Sequence, residues 1–458
     1  MFNSFKRRFP LAIIILSFSI PAFGIWGIDY LISTYLFFFY EVEIGINPWI
    51  IALWYAIMII TTSIIAPIIG YISDRNYLFT RFLGRRFLWI SFSGVIISLS
   101  TILLFWIPAF SSTFVIILFI LCLLIFKIAY TLYSTSYSAL LLNKFRNPKE
   151  RLVVASVVEF IAHIGLFTIF SFIIGYFITF GNPISYLITA IIITLIFLGT
   201  LSLGIPGLLE EKELIDTYYS PNQARREWFL NDFFKRFVIF KQKNFLVLLF
   251  GWFGIGLFNY LFFAWLPYYL LNHDPFFIAF LSLIYYVALV IAIPISLCLS
   301  WFLGYLKIFL FSGFAMGIVL FIFAFFATDE FSILFFTGLL GFTSGLISVV
   351  LIPLMGDVLD ETATFTQIRS EGFFYGLLAL FGGFIPLLGS MIIRFAYTLS
   401  GYIPFQPVPP SSVLFASTII NLIPSILIIT SMILFLFIYD LKPDKVDFIQ
   451  EQLREMQI

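Results

Sequence analysis

Five ionisable side chains stand inside long apolar runs of this sequence: Asp29, Lys127, Glu159, His163 and Arg394. A charge at membrane depth costs several kcal/mol and is a functional candidate by default. Asp29 lies about 18 residues into its run and Lys127 about 15 residues before the end of its own. At about 1.5 Å per residue both fall near the middle of a bilayer. A carboxylate and an ammonium at one depth can pair, hold a polar ligand, or pass a proton. Glu159 and His163 are one helical turn apart and share a face. A carboxylate beside an imidazole is proton-handling chemistry. Arg394 sits near the far end of its run and is expected to snorkel to the interface. Trp26, Tyr30, Tyr130, Ser134 and Asn259 could add aromatic platforms and hydrogen bonds for a hydroxyl-rich ligand. Blander roles stand beside these. An Asp–Lys pair can simply fix helix packing, and Glu159 can reach headgroups. With aromatics at 21% and 62 phenylalanines, most rings must face lipid or core.

The elements that hold these residues follow from composition. Hydrophobic residues make up 62% of the 458 and charged residues only 11%, against about 25% charged in an ordinary soluble domain. So few charges cannot cover a water-exposed surface. Lys+Arg 25 against Asp+Glu 24 leaves no basic excess for nucleic acid, so none is expected as a partner. Cys122 and Cys298 cannot form a disulfide framework and are expected to be buried thiols. The chain reads as an all-α polytopic membrane protein.

A bilayer core of about 30 Å needs about 20 apolar residues as helix. Twelve runs qualify: Leu11–Tyr40, Trp49–Ile72, Phe87–Phe110, Thr113–Leu142, Leu152–Phe180, Ile184–Leu208, Phe245–Leu271, Phe276–Leu303, Ile308–Thr328, Phe331–Val358, Phe373–Gly401 and Val413–Tyr439. Of 25 basic residues, 23 fall in alternate breaks between them. The other breaks carry only acids, Glu41, Glu43, Asp274, Asp329 and Glu330. By the positive-inside rule both termini are cytoplasmic. The longest polar stretch follows the sixth run. The expected organisation is a six-helix bundle over residues 1–208, a cytoplasmic loop over 209–243, a second six-helix bundle over 244–440 and a cytoplasmic tail over 441–458.

Three breaks carry motifs. The first reads Gly70-Tyr-Ile-Ser-Asp74-Arg75, then Gly84-Arg85-Arg86. The second contains Pro148-Lys149-Glu150-Arg151. The third reads Asp357-Val-Leu-Asp360-Glu361, then Arg369-Ser-Glu371-Gly372, with acids where topology alone favours bases. Together with six-plus-six spans, these resemble the major facilitator transporters, and most closely the glycoside–pentoside–hexuronide:cation symporter branch, of which melibiose permease is typical. The resemblance implies two six-helix halves and a cytoplasmic latch. Its members would be Gly70, Asp74, Arg75, Gly84, Arg85, Arg86, Glu150, Arg151, Asp357, Arg369, Glu371 and Gly372. It would hold the halves together in one state. The loop after span eight keeps only Gly304 and Lys307, so the second copy of the first motif is degenerate.

The resemblance also shows where this chain departs. Cation-binding acids of the branch align with Thr62 and Ala66, and its span-one and span-four acids align with Trp26 and Tyr130. A basic residue aligns with Glu159 and another with Gly383. A sodium site needs several oxygen ligands with carboxylates among them. A proton is therefore expected as the coupling ion rather than sodium, with no cofactor and no bound metal. The expected function is alternating-access transport of a sugar or glycoside at the cell membrane, by a chain acting as a monomer in the lipid bilayer. Two alternatives are a lysolipid or amphipathic-molecule translocator, which suits the Phe-rich interior, and a non-transporting sensor that kept the fold. No catalytic constellation or phosphate loop is legible, so an enzyme is not expected.

Overall fold

The computed structural model describes residues 10–77, 80–106, 112–179, 181–217, 229–269, 275–327, 329–401 and 410–456. Lys6, Arg7, Arg8, Arg225, Arg226 and the far ends of four expected spans, at Phe110, Phe180, Leu271 and Thr328, lie outside them.

Among the described residues, 12 helical stretches are long and apolar enough to cross a membrane. They are α1 (Leu11–Phe38), α2 (Pro48–Ser73), α3 (Phe87–Phe105), α4 (Ser112–Lys144), α5 (Pro148–Thr168), α6 (Pro183–Leu208), α7 (Lys243–Tyr269), α8 (Pro275–Leu303), α9 (Tyr305–Phe326), α10 (Glu330–Thr366), the pair α11 (Glu371–Gly382) and α12 (Phe384–Leu399), and α13 (Pro410–Ile438). An amphipathic helix, α14 (Pro443–Glu455), follows them.

Local sequence sets several boundaries. The helices α2, α5 and α6 all start at an Asn-Pro step. Proline takes the first helical position, where its missing N–H is no loss. The side chains of Asn47, Asn147 and Asn182 accept the N–H groups of Trp49, Lys149 and Ile184 at 3.0, 2.9 and 3.2 Å. Each cap satisfies a donor the helix itself cannot. Span eleven is two helices, broken at Gly383.

The chain divides by internal contacts into two compact units. One comprises Met1–Phe233 with Ser370–Leu380, the other Phe234–Arg369 with Phe381–Met456. The helices pair within each by one scheme. In the first, α1 packs on α5 and α6, α4 on α2 and α3, and α3 on α6. In the second, α7 packs on α12 and α13, α10 on α8 and α9, and α9 on α13. Small residues allow the closest crossings. A Cβ at Gly207 of α6 would stand 2.1 Å from the Phe18 nitrogen of α1. At the same crossing Ser17 donates to the Leu203 carbonyl at 2.8 Å.

Two expectations are corrected. The acids after span ten are not in a loop, because α10 runs unbroken to Thr366 over 37 residues. Asp357, Asp360 and Glu361 fall on one helix face and are buried with partners, so the helix continues past the bilayer length. It stops where Gln367 turns left-handed, at φ 54°. Of the two thiols, Cys122 is buried but Cys298 is exposed.

Candidate functional site

Helix α1 of the first unit presents one open stripe. Trp26, Asp29, Tyr30, Ser33, Thr34 and Phe37 recur at three- and four-residue spacing and are half or fully exposed. The opposite face, with Ile25, Ile28, Leu31 and Ile32, is core. Helix α4 offers a matching stripe of half-buried Lys127, Tyr130 and Ser134.

Asp29 and Lys127 meet electrostatically, as their depth implies, but the expected ion pair is not made. Among the described residues no direct bond joins them. Tyr130 is the hydroxyl-bearing neighbour that acts on the Asp29 carboxylate. The Lys127 ammonium lies over the Tyr55 ring of α2, 5.1 Å from its centroid, with Phe126 at 5.9 Å. A cation over an aromatic face is held by the ring quadrupole. Each charge thus has a tyrosine beside it, and both residues are half-buried. Ser134 donates to the Thr131 carbonyl at 3.2 Å, which leaves its oxygen as an acceptor.

Glu159 and His163 are brought together as their spacing requires. His163 Nδ1 lies 3.5 Å from the Glu159 carboxylate and 2.8 Å from the Glu159 backbone oxygen. The Trp26 ring is 5.5 Å from the imidazole, centroid to centroid. Trp26, Asp29, Lys127, Tyr130, Glu159 and His163 therefore belong to one neighbourhood on α1, α4 and α5. Arg394 is exposed. Asn259 sits in the second unit, where Tyr285 donates to its oxygen at 3.1 Å and contacts Ser344 at 2.9 Å.

The latch residues divide into two groups. In the first unit, the Asp74 carboxylate accepts the N–H groups of Gly372 and Phe373, both at 2.9 Å. It caps α11 from another helix, at the end where the dipole favours an anion. Arg86 donates to the same carboxylate, and to Ser73 at 2.7 Å. Arg85 and Arg86 both stand 3.4 Å from Glu371. All four charges are buried, two of each sign. Gly70 is required by contact, since a Cβ there would lie 2.0 Å from the Gly372 oxygen. Gly84 turns at φ 85° against Glu210, whose carboxylate accepts the Arg86 N–H at 2.6 Å. Arg75 donates to the Tyr71 hydroxyl at 2.8 Å. Arg151 is fully buried and caps the end of α4 through the Phe145 carbonyl at 2.8 Å. Glu150 lies in the first turn of α5.

The remaining latch candidates go elsewhere. Arg369 pairs with Asp360 at 2.7 Å, and Tyr305 donates to Asp357 at 2.6 Å, all in the second unit. Glu361 accepts Lys445 of α14 at 2.9 Å and Asn244 at 2.8 Å. Gln450 of α14 donates to Asp360 at 2.7 Å. The acid-rich stretch is hence mostly a dock for α14. Burial works against the Asp440 carboxylate beside it, but hydrogen bonds from Lys243, Lys445 and Asn244 outweigh that and hold its pKa well below the usual range. Burial likewise works against Lys445, whose hydrogen bonds to Asp440 and Glu361 raise it.

Tyr55, Glu210, Asn244 and Lys445 were not singled out from the sequence. Each acts through a partner far along the chain, which no local pattern marks. Only Lys445 lay in a readable context, one residue before the periodic Val446, Ile449 and Leu453 of α14.

A family model described as MFS/sugar transport protein matches residues 17–442. No curated protein matches the chain significantly. Among solved structures, the proton:xylose symporter XylE bound to 6-bromo-6-deoxy-D-glucose is similar over 91% of this chain and 94% of that one, with TM-score 0.64 and 12% identity. A bacterial homologue of the iron transporter ferroportin, in an outward-facing state, is similar over 92% and 98%, with TM-score 0.61 and 14% identity. The E. coli fucose:proton symporter FucP is similar over 94% and 98%, with TM-score 0.59 and 12% identity. At these identities the likeness is one of fold.

Proposed function

The chain belongs to the MFS/sugar transport protein family, and from that premise we propose that it is a secondary transporter of a sugar or glycoside, coupled to protons. The observation that carries this is the arrangement of Asp29 and Lys127. Two opposite charges, both half-buried, stand on α1 and α4 and interact electrostatically without a direct bond between them. Two charges without a direct bond are costly at membrane depth unless water or a polar ligand reaches them, which supports a ligand site at this stripe. A ligand hydroxyl can donate to Asp29 while a neighbouring hydroxyl accepts from Lys127. Trp26 and Tyr130 offer apolar ring faces beside them.

Protons suit the site better than sodium. The Thr62 hydroxyl bonds back to the Met58 carbonyl at 2.7 Å, and Ala66 has no ligand to give. Glu159, beside His163, supplies a second group able to load and release a proton. Alternating access would make and break the Asp74 cap on α11 in each cycle, with the end bearing the basic loops facing the cytoplasm.

Purified protein in liposomes, loaded with an alkaline interior, tests the proposal against a panel of labelled pentoses, hexoses, glycosides and lysolipids. Accumulation of one sugar, abolished by collapsing the pH gradient, is the expected result. Movement of lysolipid alone, or of nothing, would contradict it.

A further inference from the structure

We propose that Tyr130, Tyr133 and Tyr137 of α4 form a proton relay inside the first unit, joining Asp29 to Glu159 and His163. The proposal rests on the proton-coupled reading above and extends it to a path. The three tyrosines recur at three and four residues and so descend one side of the helix. Seven residues carry them about 10 Å along the membrane normal.

The ladder has defined ends. At one, Tyr130 neighbours the Asp29 carboxylate, and Asp29 neighbours Lys127. At the other, Tyr137 neighbours Glu159, whose carboxylate lies 3.5 Å from His163. Between them the rings of Tyr133 and Tyr137 stack, centroids 5.8 Å apart and 9° from parallel. The Tyr137 hydroxyl donates to the Phe18 carbonyl at 2.8 Å, which leaves its oxygen open to a second donor. The Tyr133 hydroxyl is the decisive feature. Its residue is 2% exposed, and among the described residues no protein group hydrogen-bonds to the oxygen.

A buried hydroxyl without a partner is destabilising. Packing does not require it, because the ring alone meets Phe197 of α6, 5.7 Å away edge to face. A hydroxyl bridged by an ordered water on each side would satisfy it and link Tyr130 to Tyr137. The other titratable group beside the path is Tyr55 of α2, against Lys127, while the non-titrating Trp26 ring of α1 packs on His163. Helix α3 carries no titratable side chain.

The transfer needs no oxidant and no cofactor. Protonated Asp29 gives its proton to the first oxygen. Each oxygen or water then takes one proton and releases another onward, so that one O–H bond forms for each that breaks. The Glu159 carboxylate receives the last proton, and His163 stabilises the exchange beside it.

The test is Tyr133→Phe, assayed in liposomes with the sugar that the wild type accumulates. The variant loses only a hydroxyl that no protein group uses, so its melting temperature should match the wild type. Sugar exchange without a pH gradient should persist, while gradient-driven accumulation falls at least tenfold. Accumulation at the wild-type level would overturn the relay. Loss of exchange together with accumulation would also overturn it, since the hydroxyl would then serve the sugar site. A wild type that exchanges sugar but never responds to a pH gradient would refute proton coupling itself, a result distinct from failure of the relay alone.

Discussion

The Asp74 carboxylate accepts the backbone N–H of Gly372 at 2.9 Å, 298 residues further along the chain. The same carboxylate holds Arg86, which is fully buried. Removing one partner of a buried ion pair leaves the other uncompensated, at about 3–5 kcal/mol. Asp74→Ala should therefore lower the melting temperature of detergent-solubilised protein markedly. Asp74→Asn, which keeps an acceptor but no charge, should fall between. Equal melting of all three would show that the cap contributes nothing.

Glycine at the same crossing provides a paired comparison. Gly70→Ala puts a Cβ 2.0 Å from the Gly372 oxygen, whereas Gly199 of α6 has nothing within 4 Å. Gly199→Ala should be neutral or stabilise by up to about 1 kcal/mol through helix propensity. Gly70→Ala should destabilise and reduce transport. A melting series of the two variants checks this, and matching curves would contradict the packing described.

Docking of α14 should have a flat pH profile across the neutral range. The Asp440 pKa is depressed in the folded protein, so its contribution is complete above the ordinary carboxylate value near 3.9 and fades only as pH falls toward the depressed value. The Lys445 pKa is raised, so its contribution is complete below the ordinary value near 10.4 and fades as pH rises beyond it. Protease cleavage of the tail should be constant from about pH 5 to 9. Lys445→Met should increase it throughout. A steep change near pH 6–7 in the wild type would assign the docking to other groups.

Tyr285 organises the second unit's polar core through Asn259 and Ser344. Tyr285→Phe removes both bonds and leaves those partners unsatisfied, a loss of about 1–3 kcal/mol. Thermal unfolding should register it. Unchanged stability would mean that water replaces the hydroxyl.

The membrane helices were legible because each needs only length and apolarity, and basic residues marked every second break. The Asn-Pro steps at 47, 147 and 182 marked helix starts just as directly. The end of α10 was not legible. Asp357, Asp360 and Glu361 look like loop residues until their partners, Tyr305, Arg369, Lys445 and Gln450, are in place. Depth along the runs placed Asp29 and Lys127 at one level, which fits their electrostatic contact but not a direct ion pair. It could not show that Tyr55, on a third helix, draws the ammonium onto its ring. The tyrosines at 133 and 137 were hidden for another reason. In a chain with 23 tyrosines and 62 phenylalanines, only burial reveals which hydroxyl lacks a partner.

The central claim is that Asp29 and Lys127 receive the substrate. Binding of the transported sugar to wild type, Asp29→Asn and Lys127→Met, measured by calorimetry in detergent, addresses it most directly. A hydrogen bond to a charged group contributes about 1.5–3 kcal/mol, so each variant should bind roughly 10- to 100-fold more weakly while melting near the wild-type temperature. Undiminished affinity in both folded variants would place the substrate elsewhere.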